Sequence, residues 1–160
     1  MDSAVAVDAW FDAHPGLPVE RPAPGRWTTV LQGEHKRGIG VHLSLGEGRL
    51  VVQSHFVRAP DENEAAFFRY LLRRNLRTYV LRFAVDDTGD VLLVGLLPPG
   101  AVTVAQLDTL MGQLLVAADE TFDTALRLGF ATYIDAEQTW RAGAGLAANP
   151  ITAGEERGTR

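Results

Sequence analysis

The chain has 160 residues, no cysteine and a formal net charge of −5, so it is long enough for one ordinary domain that buries roughly two thirds of its unfolded surface. Without cysteine it can hold neither a disulfide nor a thiolate metal site, and it has no cysteine nucleophile. The acidic balance argues against broad binding of nucleic acid or anionic membrane, and the lack of an h-region or of any apolar run near ~20 residues predicts a cytoplasmic chain.

Val5, Ala9, Trp10 and Ala13 give a short helical pattern that ends before His14-Pro15-Gly16. The segment from Pro15 to Arg26 holds Pro15, Pro18, Pro22 and Pro24, which rules out regular helix or central strand and predicts a connecting loop. Arg26 to Leu31 reads as a strand, followed by a polar turn from Gly33 to Gly38 that contains Lys36, the chain's only lysine. With arginine at every other basic position and Ala, Gly and Val abundant, a GC-rich coding bias accounts for the arginine content. Arginine frequency is therefore no functional signal.

Ile39 to Val57 forms a hairpin whose register follows from its apolar rows. Ile39, Val41, Leu43 and Leu45 on one strand, and Leu50, Val52 and Phe56 on the other, must face one core. A two-residue Glu47-Gly48 turn achieves this by pairing Leu45 with Leu50, Leu43 with Val52 and Ile39 with Phe56. His42 and His55 then become diagonal neighbours on the opposite face, roughly 7 Å apart at Cβ.

Pro60 to Asn75 is the best marked helix. Asp61 reads as N-cap with Glu64 closing a capping box, Arg69, Arg73 and Arg74 complement the last turn, and Asn75 reads as the C-terminal cap. Ala65, Phe68, Leu71, Leu72 and Leu76 form the predicted core stripe, widened by Phe67 and Tyr70, with Arg69 and Arg73 on a wetter side.

Thr78 to Val85 and Asp90 to Leu97 form a second hairpin around Asp86-Asp87-Thr88-Gly89. Its second strand, from Val91, is apolar on both faces, as a central strand or one covered by a partner chain would be, which points to oligomerisation with Val91 and Leu93 as contact residues. Thr103 with Gln106 opens a long helix striped by Leu107, Leu110, Met111, Leu114, Ala118, Phe122 and Ala125, with Gly129 as its end cap. Its length, roughly 35 to 40 Å, lets it cross a whole sheet. A short helix is expected around Asp135 to Ala142, with a disordered tail after Gly143. The sum is an α+β fold in the order α-β-β-β-α-β-β-α, with an antiparallel five-stranded sheet covered by helices. Residues 1–130 form one domain and residues 131–160 a short helix and tail.

The run Val41-His42-Leu43-Ser44-Leu45-Gly46-Glu47-Gly48-Arg49-Leu50, the Asp61-Glu62-Asn63-Glu64 helix start, Asn75, and Gly95-Leu96 before the long helix resemble the YbjN-type sensory transduction regulators of bacteria. The resemblance covers roughly Trp27 to Phe130. That family is similar in fold to type III secretion chaperones, small acidic homodimers that hold partly unfolded client segments. The resemblance thus implies a chaperone-like homodimer, and it carries over no catalytic residue.

Candidate chemistry is weighed against plainer roles. His42 and His55 lack a third metal ligand unless His35 or Glu34 folds over, so surface histidines are the preferred reading. Asp86, Asp87 and Asp90 miss the alternate spacing of a calcium loop and suit a turn. Asp119, Glu120 and Asp123 could pair as acid and base, but no apolar pocket or electrophile can be identified beside them, and a solvated helix face is preferred. Ser54 lacks a nucleophile elbow, and Gly38-Ile39-Gly40 precedes a strand where a phosphate loop needs a helix. Arg69, Arg73 and Arg77 form a row that could grip an acidic peptide or phosphate, against a plainer reading as solvated dipole compensation.

The expectation is a non-enzymatic, homodimeric protein-binding module, chaperone-like or regulatory, that acts on a protein or peptide client. It uses no cofactor or metal and binds no nucleic acid or membrane. The rival is a small-ligand sensor, or an enzyme whose site goes unrecognised, with a cavity between sheet and helices.

Overall fold

The computed structural model describes residues 2–149. Asp2 accepts the Ala4 N–H at 2.8 Å and so caps α1 (Ser3–Asp12), which buries Ala6, Val7, Trp10 and Phe11 and leaves Val5 exposed. Then follow β1 (Val19–Ala23), β2 (Arg26–Gln32), β3 (Gly38–Gly46), β4 (Arg49–Val57), α2 (Glu64–Arg74), β5 (Arg82–Val85), β6 (Val91–Leu97), α3 (Val104–Gly129) and α4 (Ala131–Gly143). Single 3-10 turns at Asn75–Arg77 and Pro99–Ala101 extend α2 and lead into α3.

The sheet has six strands in the order β1-β2-β3-β4-β6-β5, every pairing antiparallel, where the sequence predicted five. The extra strand is β1, which lies within the expected proline-rich loop. It is an edge strand, and Pro22 falls in the register irregularity between Glu20 and Ala23, where its missing N–H interrupts no regular ladder. The β3–β4 hairpin has the predicted register, with Leu45 opposite Leu50 and Leu43 opposite Val52 around the Glu47-Gly48 turn. Strand β5 starts later than expected, because residues 78–81 are taken up by a loop.

One face of the sheet is the core face. Trp27, Leu31, Ile39, Val41, Leu43, Leu50, Val52, Phe56, Val91 and Leu93 point into it, and α3 lies over them in contact with both α1 and α2. Thr103 caps α3 through the Gln106 N–H at 3.1 Å, and the expected stripe is buried except that Phe122 is half-exposed. The helix has 26 residues, about 39 Å at ~1.5 Å per residue. Gly129 is its last residue, with Phe130 in the cap position where the sequence suggested Gly129. A Cβ there would stand 2.9 Å from the Phe67 ring and 3.0 Å from Pro60, so glycine is required by close approach.

The start of α2 also differs from expectation. Its N-cap is Asn63 in the left-handed region (φ 51°), and no capping box forms. Asp61 pairs with Arg58 at 2.6 Å, and the Asp61 and Glu62 N–H groups donate to the Gly129 carbonyl at 2.9 and 3.2 Å. Asn63 Nδ2 donates to the Leu128 carbonyl, and Glu62 Oε1 accepts the Thr132 N–H. The acidic segment therefore satisfies the C-terminus of α3 and the N-terminus of α4, and this tertiary bonding outweighs local capping of α2. Residues 144–149 run back along α4, where the Asn149 N–H donates to Gln138 at 2.6 Å. The rest of the expected disordered tail lies outside the described residues.

Candidate interaction surface

Asp119, Glu120 and Asp123 on α3 are anchors for the β2–β3 turn and α2. Asp119 Oδ1 accepts the His35 N–H at 2.8 Å and the Lys36 N–H at 2.9 Å, and Asp123 pairs with His35 Nδ1 at 2.7 Å. Glu120 pairs with Arg74 at 3.1 Å. Gly33 sits hard against Asp119, and any Cβ there would also meet the Lys36 carbonyl at 2.5 Å. Burial pulls the Asp119 pKa up, but the turn's backbone N–H groups outweigh it and hold the carboxyl below 3.8. The hydrogen bond to Asp123, with that carboxylate's charge, raises His35 above 6.5. Lys36 then lies over the Phe122 ring at 4.9 Å, and burial lowers its pKa. This row is neither an acid–base pair nor merely a solvated face.

Most of the remaining polar candidates also make contacts within the chain. His55 pairs with Asp90 at 3.0 Å, while His42 stands exposed opposite Gln53. Asp86 accepts from Thr88 and from the Asp90 N–H, which makes it the turn residue expected. Ser54 is buried and donates to the Gly40 carbonyl at 2.6 Å. Among the described residues no group of three or more His, Asp or Glu could hold a metal ion.

The arginine row is different. Arg69, Arg73 and Arg77 are exposed on α2 and its 3-10 extension, and none has an ion pair or hydrogen bond among the described residues. The core side of α2 is narrower than expected: Phe67 and Leu71 are buried, whereas Leu72 is 65% and Leu76 88% exposed. Spacing alone predicts Leu72 and Leu76 in the core stripe. The signal against that was their place on the helix wheel, where Leu76 falls about 20° from Arg69 at ~100° per residue.

Asn75 does more than end α2. Its Oδ1 accepts the Phe83 N–H at 2.7 Å and its Nδ2 donates to the Phe83 carbonyl at 3.3 Å, which occupies the outward backbone groups in the middle of β5. Thr78 Oγ1 donates to the Leu81 carbonyl, so that group is also taken. Strand β6 is a central strand. Val91 and Leu93 are fully buried in the core, so in this fold they present no surface to a partner. The strand's outward row is Leu92, Val94 and Leu96, the last 52% exposed, with Val51 opposite Leu96. Trp27 is a core plug whose Nε1 donates to Asp8, and Trp140 is exposed.

An apolar cavity of about 270 Å³ opens between the end of β4, α3 and α4, lined by Val57, Phe122, Leu126, Phe130, Tyr133 and Ile134. Arg58 covers Phe130 at its rim, 4.5 Å from the ring centre. No helix among the described residues is long and apolar enough to cross a membrane.

Comparison with known proteins completes the picture. An uncharacterized protein of Mycobacterium tuberculosis is 39% identical over 123 residues, which are 77% of this chain and 67% of that one. Among solved structures, a chain of the heterodimeric ExoU–SpcU complex from the Pseudomonas aeruginosa type III secretion system superposes with a TM-score of 0.53 at 19% identity, covering 78% of this chain and 98% of the other. A chain of the Yersinia pestis type III secretion chaperone SycH in complex with a YscM2 fragment gives 0.50 at 21% identity, covering 79% and 98%. These likenesses show a shared fold. The profile described as "Putative bacterial sensory transduction regulator" matches residues 3–127, which takes in α1 and β1 as well as the hairpins and nearly all of α3. That span carries the whole sheet and the three helices that cover it, and the chain belongs to the YbjN family.

Proposed function

We propose that this protein is a non-enzymatic, homodimeric protein-binding module, chaperone-like or regulatory, that acts on a protein client. The observation that carries the reading is the α2 face, where leucines stand in solvent beside arginines with no partner among the described residues. A soluble domain gains nothing in stability from such a face, so it fits a surface kept for another protein. The fold's likeness to chains from complexes of secretion chaperones with protein partners supports the same class. The engagement of the α3 carboxylates, Ser54 and His55 in structural contacts also supports a non-enzymatic reading.

The homodimer is assigned to the outward face of the sheet. Leu92, Val94, Leu96 and Val51 form an apolar patch there, with Arg82 beside Val94 at its edge, and a two-fold copy would bury the patch. Light scattering on a size-exclusion column, over a range of concentrations, should give twice the monomer mass for the wild type and a shift toward monomer for Leu96→Lys. A mass equal to the monomer at all concentrations sinks the dimer. Purification of the tagged protein under light crosslinking should bring one stoichiometric partner, and recovery of the chain alone removes the client.

A second reading has the 270 Å³ cavity in its favour, as a site for a small apolar ligand in a sensor. Thermal-shift screening with and without Leu126→Trp, which fills the cavity, distinguishes the two readings.

A further inference from the structure

We propose that the exposed face of α2 and its 3-10 extension docks an acidic amphipathic helix of the partner protein. This deepens the protein-binding reading and rests on it. At ~100° per residue Leu72, Leu76, Arg69 and Arg73 occupy adjacent angular positions, opposite Phe67 and Leu71. An apolar strip and a cationic strip therefore run side by side, and Leu72 and Val85 also border a small apolar notch between α2 and β5. Arg69, Arg73 and Arg77 are spaced four residues apart, about 6 Å per step along a helix, which matches carboxylates at the same interval on a second helix. Guanidinium groups with no partner among the described residues, on a chain of net charge −5, are a local field of the opposite sign to the whole, so they select an acidic surface.

The backbone decides the partner's secondary structure. A docking strand needs free N–H and C=O groups at a sheet edge, and at this corner Asn75 and Thr78 have filled them. A helix satisfies its own backbone and needs only side chains to dock. A second copy of this chain is disfavoured here, because a two-fold axis through the face would set the two arginine rows against each other. Beside the row, Val80 has φ 63° in a three-residue turn closed by the Leu81 N–H on the Tyr79 carbonyl at 2.6 Å. Such strain at a β-branched residue marks a corner held in shape by its surroundings, next to a half-exposed Tyr79.

The probe is a fluorescein-labelled synthetic helical peptide of about three turns, with glutamates four residues apart beside a leucine stripe, read by fluorescence anisotropy on the full chain. Three control probes are the peptide with lysine for glutamate, a scrambled sequence, and a short DNA duplex. The wild type should bind the acidic peptide alone, and affinity should fall by roughly tenfold or more in the Arg69→Gln/Arg73→Gln/Arg77→Gln variant and again in Leu76→Glu. Circular dichroism should show both variants folded, since all four side chains are exposed. Equal binding by wild type and the Gln variant, no binding of the acidic peptide, or preference for the lysine peptide or the duplex overturns the proposal. If the crosslinked natural partner persists undiminished in the Gln variant, the protein-binding reading stands and this surface assignment falls.

Discussion

The acidic row on α3 and the basic row on α2 share a helical spacing. Yet Asp119, Glu120 and Asp123 are each engaged within the chain, while Arg69, Arg73 and Arg77 engage nothing among the described residues. The rows look equivalent in sequence. What separates them is distance along the chain: Asp119 and Asp123 meet a turn more than 80 residues earlier and Glu120 an arginine on α2, pairings that no local pattern encodes. The arginines lie where the described residues offer no acid. On the proposed reading the engaged row serves stability and the unengaged one recognition, and that difference can be measured.

The largest effect is expected from Asp119→Ala, which leaves the turn's N–H groups unpaired and should cost about 2 kcal/mol, or roughly 4 to 8 °C in Tm by calorimetry. Asp119→Asn, which keeps an acceptor, should recover much of it; identical losses in the two variants would show that the turn does not depend on that oxygen. Next comes pH. The folded-state pKa of His35 is raised, so its contribution is complete below 6.5 and is lost as pH rises through the folded value. Urea titrations on either side of that window should show the wild type losing more stability than His35→Ala, and parallel profiles would remove the His35–Asp123 link. Arg74→Gln should cost only about 0.5 kcal/mol, since Glu120 is largely solvated, and high salt should erase the difference. The smallest effect belongs to Arg69→Gln/Arg73→Gln/Arg77→Gln, expected within about 0.5 kcal/mol of wild type. A larger loss in that variant would mean the basic row is structural after all.

Legibility from sequence followed the range of the interactions. The β3–β4 register was readable because alternating apolar rows and a two-residue turn admit one pairing. Capping of α3 by Thr103 was readable for the same local reason. The acidic start of α2 misled, because Asp61, Glu62 and Asn63 bond to the ends of α3 and α4, far away in sequence. The proline-rich segment hid β1, since prolines forbid a central strand but not an edge. On α2, two apolar stripes fitted a period near four, and only packing chose Phe67 and Leu71 over Leu72 and Leu76. The arginine row is visible as a pattern, and its lack of partners among the described residues is not. Val91 and Leu93 belong to a run apolar at every position, and such a run does not tell which of its faces meets the helices.

Asn75 has a consequence for the protein at high concentration. An antiparallel sheet is a template that can be copied, and an uncapped β5 would let molecules join edge to edge into a growing ladder. The Asn75 carboxamide imitates one peptide unit of the next strand and then presents no further strand to extend, so it acts as a chain terminator. Asn75→Ala should turn a solution that stays clear into one whose turbidity and thioflavin signal grow with a lag, and continued clarity would show that the short strand alone is protection enough.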